Sequence, residues 1–377
     1  MDKYYVVLTG ARKNAGDFLI TQKCKELIRK FRPEFELVQI GRWENLDDKL
    51  DIVNQSKGVI LLGGPAFVPK MYPRIYRLVD DLNKIKVPII PMAVGWNAYP
   101  GDFKSMIKFR FSSKSMELLR KISSGSDYIS VRDFYTNQIL KMHGINNSIV
   151  TGCAALFDLK SIGKAMHLTS TPKAIAFTPA QNIKYAEITI ELMKRLRNIF
   201  KDTRIICAFH RGIGKKDKYT SKIDAKNTRR IALIAEKLGM EVADLSFSHE
   251  NYRVYDGVDV HVGFRVHAHL YFLSRRYPSL LINEDGRGSS ISKTLNIYGV
   301  DAFYRRPLGE ILHLLDGVFQ RLSLCSIKHD VKNNVPEVVE CLLRNHLESG
   351  FIGFAGVSDV IDNYFGVMKK FLQSLPN

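Results

Sequence analysis

The stretch that decides the fold runs from Gly257 to Asn283 and reads GVDVHVGFRVHAHLYFLSRRYPSLLIN. Its first apolar run, residues 258–263, predicts a strand, and residues 266–274 predict a helix that begins almost directly after it. A second short apolar run, residues 279–283, predicts another strand. Because parallel strands need a crossover between them, strand, helix and strand in this order indicate a βαβ unit of a parallel sheet.

The same alternation of strands and helices extends along most of the chain. Strands are predicted at residues 4–8, 35–40, 58–62, 87–94, 128–131 and 148–152, with helices at 16–31, 46–54, 71–85, 110–122 and 136–143. After a linker at 161–172, strands are predicted at 173–178, 204–209 and 241–245, and helices at 186–200 and 225–238. The tail predicts helices at 311–322, 336–350 and 358–375.

This order predicts an α/β protein with two Rossmann-like domains, whose parallel sheets face a cleft, and a helical C-terminal tail. The predicted domains are residues 1–165 and 166–310, with residues 311–377 as helices that pack back on the first domain.

Composition sets broad limits on the class of protein. Hydrophobic residues make up 45% and charged residues 25% of the 377 residues, which is ordinary for a soluble globular protein. The five cysteines are scattered, which argues against a disulfide framework or a zinc site. No apolar run approaches the ~18 residues of a membrane span, and we expect a cytoplasmic protein. The net charge of +18 indicates an anionic partner or a basic, solvated surface.

Ligands of open α/β sheets bind beyond the carboxyl ends of the strands, and Arg265 and His267 follow such an end. A helix N-terminus there favours a bound anion and disfavours a protonated imidazole. A buried core histidine is the structural alternative.

Other strand ends carry further candidates, each with a structural alternative. Asn14 and Asp17 suit an anion or a hydroxyl, or a helix cap. Gly63 and Gly64 permit close backbone approach, or form a tight turn.

Two more strand ends carry cations. Arg132 suits a phosphate or carboxylate, or a structural pair with Asp133. His210 and Arg211 suit anion binding with proton transfer, or begin a solvated loop. Beyond the last strand lie the carboxylate of Glu284 and the cation of Arg287.

With these motifs in order, the chain resembles the polysaccharide pyruvyl transferase family. The likeness is carried by the Asn-x-Gly-Asp turn (14–17), the glycines at 63–64, Ser-Val-Arg-Asp (130–133), part of a Thr-Gly-Asp-Pro-Ala segment (151–155) and the Arg-x-His motif (265–267). Two features depart from the family pattern. Residues 178–182 lack an arginine common there, and Gly-Arg-Gly (286–288) replaces a usual lysine, although Lys293 lies nearby.

The resemblance implies a glycosyltransferase-B-like fold and transfer of the pyruvyl group of phosphoenolpyruvate onto a sugar of a cell-surface polysaccharide or its precursor. A pyruvate ketal would form and phosphate would leave, with no metal and no cofactor. It places the acceptor in the first domain and the donor in the second. His267 would be the acid/base and Arg265 would hold the phosphate or carboxylate. The remaining donor-binding candidates are His210, Arg211, Arg132, Arg287 and Lys293, and the acceptor-binding candidates are Asn14, Asp17, Gly63, Gly64 and Glu284.

Residues 99–121 mix apolar side chains with six cations and two carboxylates. This predicts peripheral contact with an anionic membrane surface or with a lipid-linked glycan, or alternatively a basic solvent face. Two other functions remain open: a nucleotide-sugar glycosyltransferase of the same fold, and a non-catalytic polyanion-binding protein. No nucleic-acid-binding motif supports specific nucleic-acid binding. The acceptor sugar and the oligomeric state are not predicted.

Overall fold

The computed structural model describes residues 3–214, 217–306 and 329–377. The first sheet consists of β1 (Tyr4–Thr9), β2 (Glu36–Gly41), β3 (Val59–Phe67), β4 (Ile89–Trp96), β5 (Ile129–Val131) and β6 (Ser148–Val150). Its strands are parallel and lie in the order β2-β1-β3-β4-β5-β6. We refer to this sheet and its helices as the N-terminal half.

The second sheet repeats this arrangement and forms the C-terminal half with its helices. It consists of β7 (Ala174–Thr178), β8 (Arg204–Phe209), β9 (Glu241–Asp244), β10 (Val260–Gly263), β11 (Ser279–Asn283) and β12 (Val300–Asp301). These strands are also parallel, in the order β12-β11-β10-β7-β8-β9. A short antiparallel pair, β13 (Phe303–Arg305) and β14 (His329–Val331), follows. The two parallel sheets, with helices between their strands, confirm the predicted α/β fold class.

Helices cover both sheets. The N-terminal half carries α1 (Ala15–Phe31), α2 (Leu50–Gln55), α3 (Met71–Arg74), α4 (Phe103–Ile107), α5 (Ser113–Gly125) and α6 (Phe134–Met142). The C-terminal half carries α7 (Ala186–Ile199), α8 (Lys222–Lys237), α9 (Val266–Ser274) and α10 (Gly286–Thr294), and the tail adds α11 (Val335–Glu348) and α12 (Val357–Gln373). α1 shows why such segments fold, because its apolar residues recur every three or four positions and are buried on one face: Ile20, Cys24, Leu27 and Ile28.

The tail contacts both halves. Arg195 of α7 pairs with Glu337 and Glu340 of α11. In α12, Asp362 pairs with Arg276 of the C-terminal half, and the Phe365 ring lies 5.9 Å from the ring of Phe31 in α1. The predicted helix at 311–322 lies outside the described residues.

Three local predictions differ from the structure. The helix predicted at 71–85 is wrong beyond its first turn, because Tyr72, which precedes Pro73, is extended at φ −120°, ψ 133°. Gly63 and Gly64 do not end a strand, because β3 continues to Phe67. α10 was not predicted, since its polar sequence GRGSSISKT lacks an apolar stripe.

The segment 99–121 divides its apolar side chains between the core and the surface. Met106, Phe109 and Phe111 are buried, whereas Phe103 and Ile107 are 58% and 44% exposed. No helix in the described parts of the chain has the length and apolarity needed to cross a membrane.

The carboxyl ends of the two sheets meet, and polar bonds join them. The Ala15 amide donates to the His210 carbonyl at 2.9 Å, and the Gly286 amide donates to the Ala98 carbonyl at 3.1 Å. The Ser290 hydroxyl of α10 donates to the Asp133 carboxylate at the start of α6 at 2.6 Å. The residues selected from the sequence at strand ends therefore lie along one crevice.

Candidate active site

Arg265 is the N-cap residue of α9, directly beyond β10, and it contacts both halves. Its amide donates to the Thr178 hydroxyl at 3.2 Å, which fixes the backbone at the strand end. The guanidinium donates to Asn14 Oδ1 at 3.3 Å and to Gln181 Oε1 at 3.2 Å. Glu284 Oε1 lies 3.8 Å from Arg265 Nη1. The cation of the C-terminal half thus faces the N-terminus of α1, where Asn14 caps the helix without a side-chain bond to it.

His267 lies in the first turn of α9, and its imidazole is packed against Gly16 of α1. A Cβ atom at Gly16 would lie 2.0 Å from His267 Nδ1, so any side chain at position 16 would displace the ring. The ring is 6% exposed, and its Nε2 has no hydrogen-bond partner within the described residues. Burial and the neighbouring charges of Arg132, Arg287 and Arg265 lower the pKa of His267 well below its usual value. The imidazole of His267 is therefore neutral, and its Nε2 is not bonded by the described residues.

Arg132 is fully buried beyond β5 and forms the structural pair considered from the sequence. Its Nε donates to Asp133 Oδ2 at 3.0 Å and its Nη2 to the Trp96 carbonyl at 3.1 Å. Its Nη1 is buried and makes no hydrogen bond to the part of the chain that the structure describes. Arg132 thus forms a buried structural pair and keeps one donor, Nη1, unbonded by the described residues. Its charge lowers the pKa of His267.

Carboxylates and a third arginine complete the cluster beyond β11. Arg287 Nε donates to Asp285 at 2.9 Å, and Glu284 Oε1 lies 3.8 Å from Arg287 Nη2. Burial raises the pKa of Glu284, and the charges of Arg265, Arg287 and Arg211 oppose that rise. A small pocket beyond β7, β8 and β10 is lined by Pro179, Ala180, Gln181, Phe209, His210, Arg211, Gly212, Thr228 and Arg265. Arg211 and Arg265 therefore line the same pocket.

Two predicted donor ligands do not present a free group to this crevice. Both ring nitrogens of His210 contact tyrosine hydroxyls, Nε2 at 2.8 Å from Tyr255 and Nδ1 at 3.1 Å from Tyr252. Lys293 is exposed on the last turn of α10, and its ammonium lies 5.9 Å from the centroid of the Tyr135 ring. His210 is thus held as a buried polar contact and Lys293 is exposed, and their interpretation as donor ligands stays a prediction.

On the acceptor side, Gly63 is a packing position, because a Cβ there would lie 2.5 Å from Ile20 Cγ2. Gly64 has a φ of +87°, a conformation that favours glycine. Burial raises the pKa of Asp17, and the charges of Arg42 and Arg211 oppose that rise. Arg42 was missed by sequence reasoning. It follows the carboxyl end of β2, so the rule that selected the other strand ends would have found it.

Chemically, the crevice joins a neutral imidazole, several arginines and partly buried carboxylates, which suits an anionic ligand and proton transfer. Within residues 3–214, 217–306 and 329–377, no three His, Cys, Asp or Glu side chains are grouped as metal ligands.

The chain is similar to one known protein family and to several solved structures. The family described as "Polysaccharide pyruvyl transferase" matches residues 14–286, whereas curated proteins gave no match. Among solved structures, Staphylococcus aureus MnaA with UDP is 11% identical, with a TM-score of 0.47, covering 92% of this chain and 97% of that one. UDP-GlcNAc 2-epimerase from Neisseria meningitidis bound to UDP-GlcNAc is 11% identical, with a TM-score of 0.44, covering 92% and 100%. The wall teichoic acid polymerase TagF is 12% identical, with a TM-score of 0.43, covering 99% and 90%. Since the family match extends over most of the 377 residues, the chain belongs to the polysaccharide pyruvyl transferase family.

Proposed function

We propose that this protein transfers the pyruvyl group of phosphoenolpyruvate onto two hydroxyls of a sugar, forming a pyruvate ketal and releasing phosphate. The observation that carries the proposal is the buried imidazole of His267, with an unpartnered Nε2 among the described residues, close to the charges of Arg265, Arg132 and Arg287. Phosphoenolpyruvate is small and carries close to three negative charges, so it needs several cations and one proton-transfer group.

The reaction assigns a task to each group. A proton adds to the methylene carbon of phosphoenolpyruvate, and a sugar hydroxyl attacks the adjacent C2 as it becomes cationic. The C2–O bond to phosphate then breaks, and a second hydroxyl closes the ring. Of the two protons that the hydroxyls lose, one balances the new methyl group and one leaves with phosphate. The scheme requires no metal or cofactor, because arginines balance the donor's charge.

His267 is the residue to which we assign proton delivery. Its imidazole is neutral because burial and three arginines disfavour the protonated form. A bound trianion beside the ring reverses that electrostatic effect and raises the pKa of His267. The donor itself thereby produces the imidazolium that protonates its methylene carbon.

Arg265 and Arg211 are assigned to the donor's charges, because both line the same small pocket. Arg287 lies across Glu284 from Arg265 and contributes further positive charge. Asn14 and Asp17 are assigned to the acceptor, since they stand at the start of α1 beside Gly16 and the His267 ring. Glu284 positions Arg265 and Arg287 rather than contacting the acceptor.

Ligand-induced thermal stabilisation tests the donor. A ligand at ten times its dissociation constant adds about 1.4 kcal/mol, which shifts the melting temperature by a few degrees. We expect a shift with phosphoenolpyruvate in the wild type and in Arg253→Lys, an exposed control, and its loss in Arg265→Lys. Arg265→Lys keeps a charge beside Glu284 but loses the planar fork that bonds Asn14 and Gln181.

The alternatives give different results in the same measurement. A shift with a nucleotide sugar and none with phosphoenolpyruvate assigns the protein to glycosyl transfer. Steeply salt-dependent binding to nucleic acid or another polyanion, without either shift, favours a non-catalytic binding protein.

A membrane contact is proposed for the surface formed by Phe103, Lys104, Ile107, Lys108 and Arg110, which we call the α4 surface. Phe103 and Ile107 are four residues apart, on the same side of α4, and both are exposed. The three cations beside them are also exposed, as an anionic lipid bilayer would require. This contact would bring the crevice to an acceptor carried on lipid at the inner face of the membrane.

A further inference from the structure

Two neighbouring strands of the first sheet, β1 and β2, end in the crevice beside the carboxyl-terminal part of β3. The register pairs Thr9 of β1 with Gly41 of β2, so Gly10 and Arg42 follow side by side. On the other side of β1, Leu8 pairs with Leu61 of β3, and Gly64 lies three residues farther along β3. Gly10 and Arg42 thus follow the ends of two adjacent parallel strands, where ligands of such sheets bind, and Gly64 lies in the carboxyl-terminal part of β3 beside them.

The guanidinium of Arg42 lies over these two glycines. A Cβ atom at Gly10 would lie 2.6 Å from Arg42 Cζ, and one at Gly64 would lie 3.8 Å from its Nη1. Gly10 therefore leaves the space that the guanidinium occupies. No Asp or Glu in the described residues forms an ion pair with Arg42. The nearby Glu44 is already used, accepting from the Gly41 amide at 2.8 Å and pairing with Lys49 at 3.4 Å.

A second arginine stands at the same strand ends. The Arg12 guanidinium lies 3.8 Å from the centroid of the Trp43 ring and 5.9 Å from that of Tyr219 in the C-terminal half. Stacking on an aromatic face holds the guanidinium while leaving its N–H edge available for a ligand. Arg12 is exposed, so this edge faces solvent at the rim of the crevice.

Asp17 connects this place to the proposed reaction centre. Among the charges that oppose the effect of burial on the pKa of Asp17, Arg42 is the largest and Arg211 the next. Asp17 is thus close enough to cations of both halves for their charges to act on its carboxyl group. Its neighbour Gly16 contacts the His267 ring. A sugar with one end at Arg42 would have its hydroxyls beside Asp17 and His267.

We infer that Arg42, with Arg12 at the rim, binds an anionic substituent of the acceptor, so that the acceptor is a sugar bearing a phosphate or a carboxylate. The identification of this ligand as the acceptor rests on the proposed function. The anion subsite itself rests on the positions of Arg42, Arg12 and the two glycines. Arg42 follows β2 of the first sheet, whereas Arg265 of the donor cluster follows β10 of the second sheet.

Isothermal titration of the full-length protein with glucose 1-phosphate, glucuronate and glucose tests the subsite. The proteins are the wild type, Arg42→Gln, Arg42→Lys and the control Arg120→Gln, an exposed arginine of α5. We expect at least one of the two anionic sugars to bind the wild type and Arg120→Gln equally, and to bind Arg42→Gln at least tenfold more weakly. Arg42→Lys should recover part of the loss, and uncharged glucose should bind all four proteins equally weakly.

The two anionic sugars distinguish phosphate from carboxylate as the recognised group. Equal binding of both by the wild type and Arg42→Gln overturns the inference, and so does a wild type that binds neither. Phosphoenolpyruvate is titrated in parallel and should bind Arg42→Gln within about twofold of the wild type, a difference below about 0.5 kcal/mol. If phosphoenolpyruvate binds none of the proteins, the donor assignment fails while the sugar titrations still decide the subsite.

Discussion

Replacing Gly16 by alanine tests whether the His267 ring acts at the donor site. The added Cβ would lie 2.0 Å from His267 Nδ1, 2.6 Å from Cγ and 2.8 Å from the His267 Cβ. Ordinary contact needs about 3.5 Å, so the ring has to retreat by roughly 1.5 Å. A displacement of this size at a reacting group is large, since about 1 Å is enough to reduce a rate by ~100-fold.

The fold should tolerate this substitution. Alanine in a helix is favoured over glycine by about 1 kcal/mol, and overpacking costs about 1–3 kcal/mol, so the net loss is about 0–2 kcal/mol. The matched control is Gly366→Ala in α12, where an added Cβ meets nothing within 4 Å. We expect the control to keep the wild-type affinity and to be slightly more stable.

Calorimetric titration with phosphoenolpyruvate is the assay. We expect Gly16→Ala to raise the dissociation constant at least tenfold, a loss of about 1.4 kcal/mol, because the displaced ring enters the space of the donor. The double variant Gly16→Ala/His267→Ala should bind phosphoenolpyruvate with nearly the same dissociation constant as His267→Ala, because the ring that the new methyl group would displace is absent. A Gly16→Ala protein that binds phosphoenolpyruvate within twofold of the wild type would refute the placement of His267 at the donor.

Three further predictions concern stability and surface. Arg132→Gln should lower the free energy of unfolding by about 3–5 kcal/mol in urea denaturation, because Asp133 stays buried without its cation. Arg204→Gln, which breaks an exposed pair with Glu241, should lower it by about 1 kcal/mol or less. Equal losses in the two variants contradict this prediction. Burial lowers the folded-state pKa of the four buried histidines, His210, His261, His267 and His269, to about 3 for His269, while unfolded histidines take up protons below about pH 6.5. Stability should therefore be lost as the pH falls, by about 1.4 kcal/mol per histidine between about pH 7.5 and 5.5, while the raised pKa values of Asp17 and Glu284 act in the opposite direction; an unfolding free energy that does not change with pH contradicts this. Phe103→Ser/Ile107→Ser should reduce sedimentation with phosphatidylserine-containing vesicles at low salt severalfold, relative to Ile52→Ser, another exposed apolar position, and unchanged sedimentation would end the membrane proposal.

Prediction from the sequence succeeded where a short run of apolar residues, or their regular spacing, is enough to identify a strand or a helix. The strand–helix–strand order around Arg265 was read from apolar runs alone, because a parallel strand buried on both faces is continuously apolar. Prediction failed at 71–85, where apolar spacing suggested a helix but Pro73 and extended Tyr72 end it after one turn. It also missed α10, whose position is fixed by contacts of Ser290 and Thr294 with α6 rather than by its own pattern.

The candidate site shows the same division. Strand ends identified Arg265, His267, Arg132 and Arg211 by position, since a βα connection places its first residues at the crevice wherever it occurs. Whether each side chain is available to a ligand depends on residues distant in sequence. His210 is occupied by Tyr252 and Tyr255, which lie 42 and 45 positions away, and no local pattern reports that contact.

The α/β class, the two parallel sheets and the set of strand ends from which a site could be built were thus predictable from local sequence patterns. Local patterns are sufficient for these, because strand, helix and crossover depend on short-range periodicity and backbone preference. Three features became evident only from the folded chain: the His267 ring occupies the space beside Gly16, Arg132 forms a buried pair with Asp133, and the Arg42 guanidinium lies over Gly10. Those outcomes depend on where side chains from separate strands and from both halves meet, and packing in three dimensions alone fixes which of their polar groups are left for a ligand.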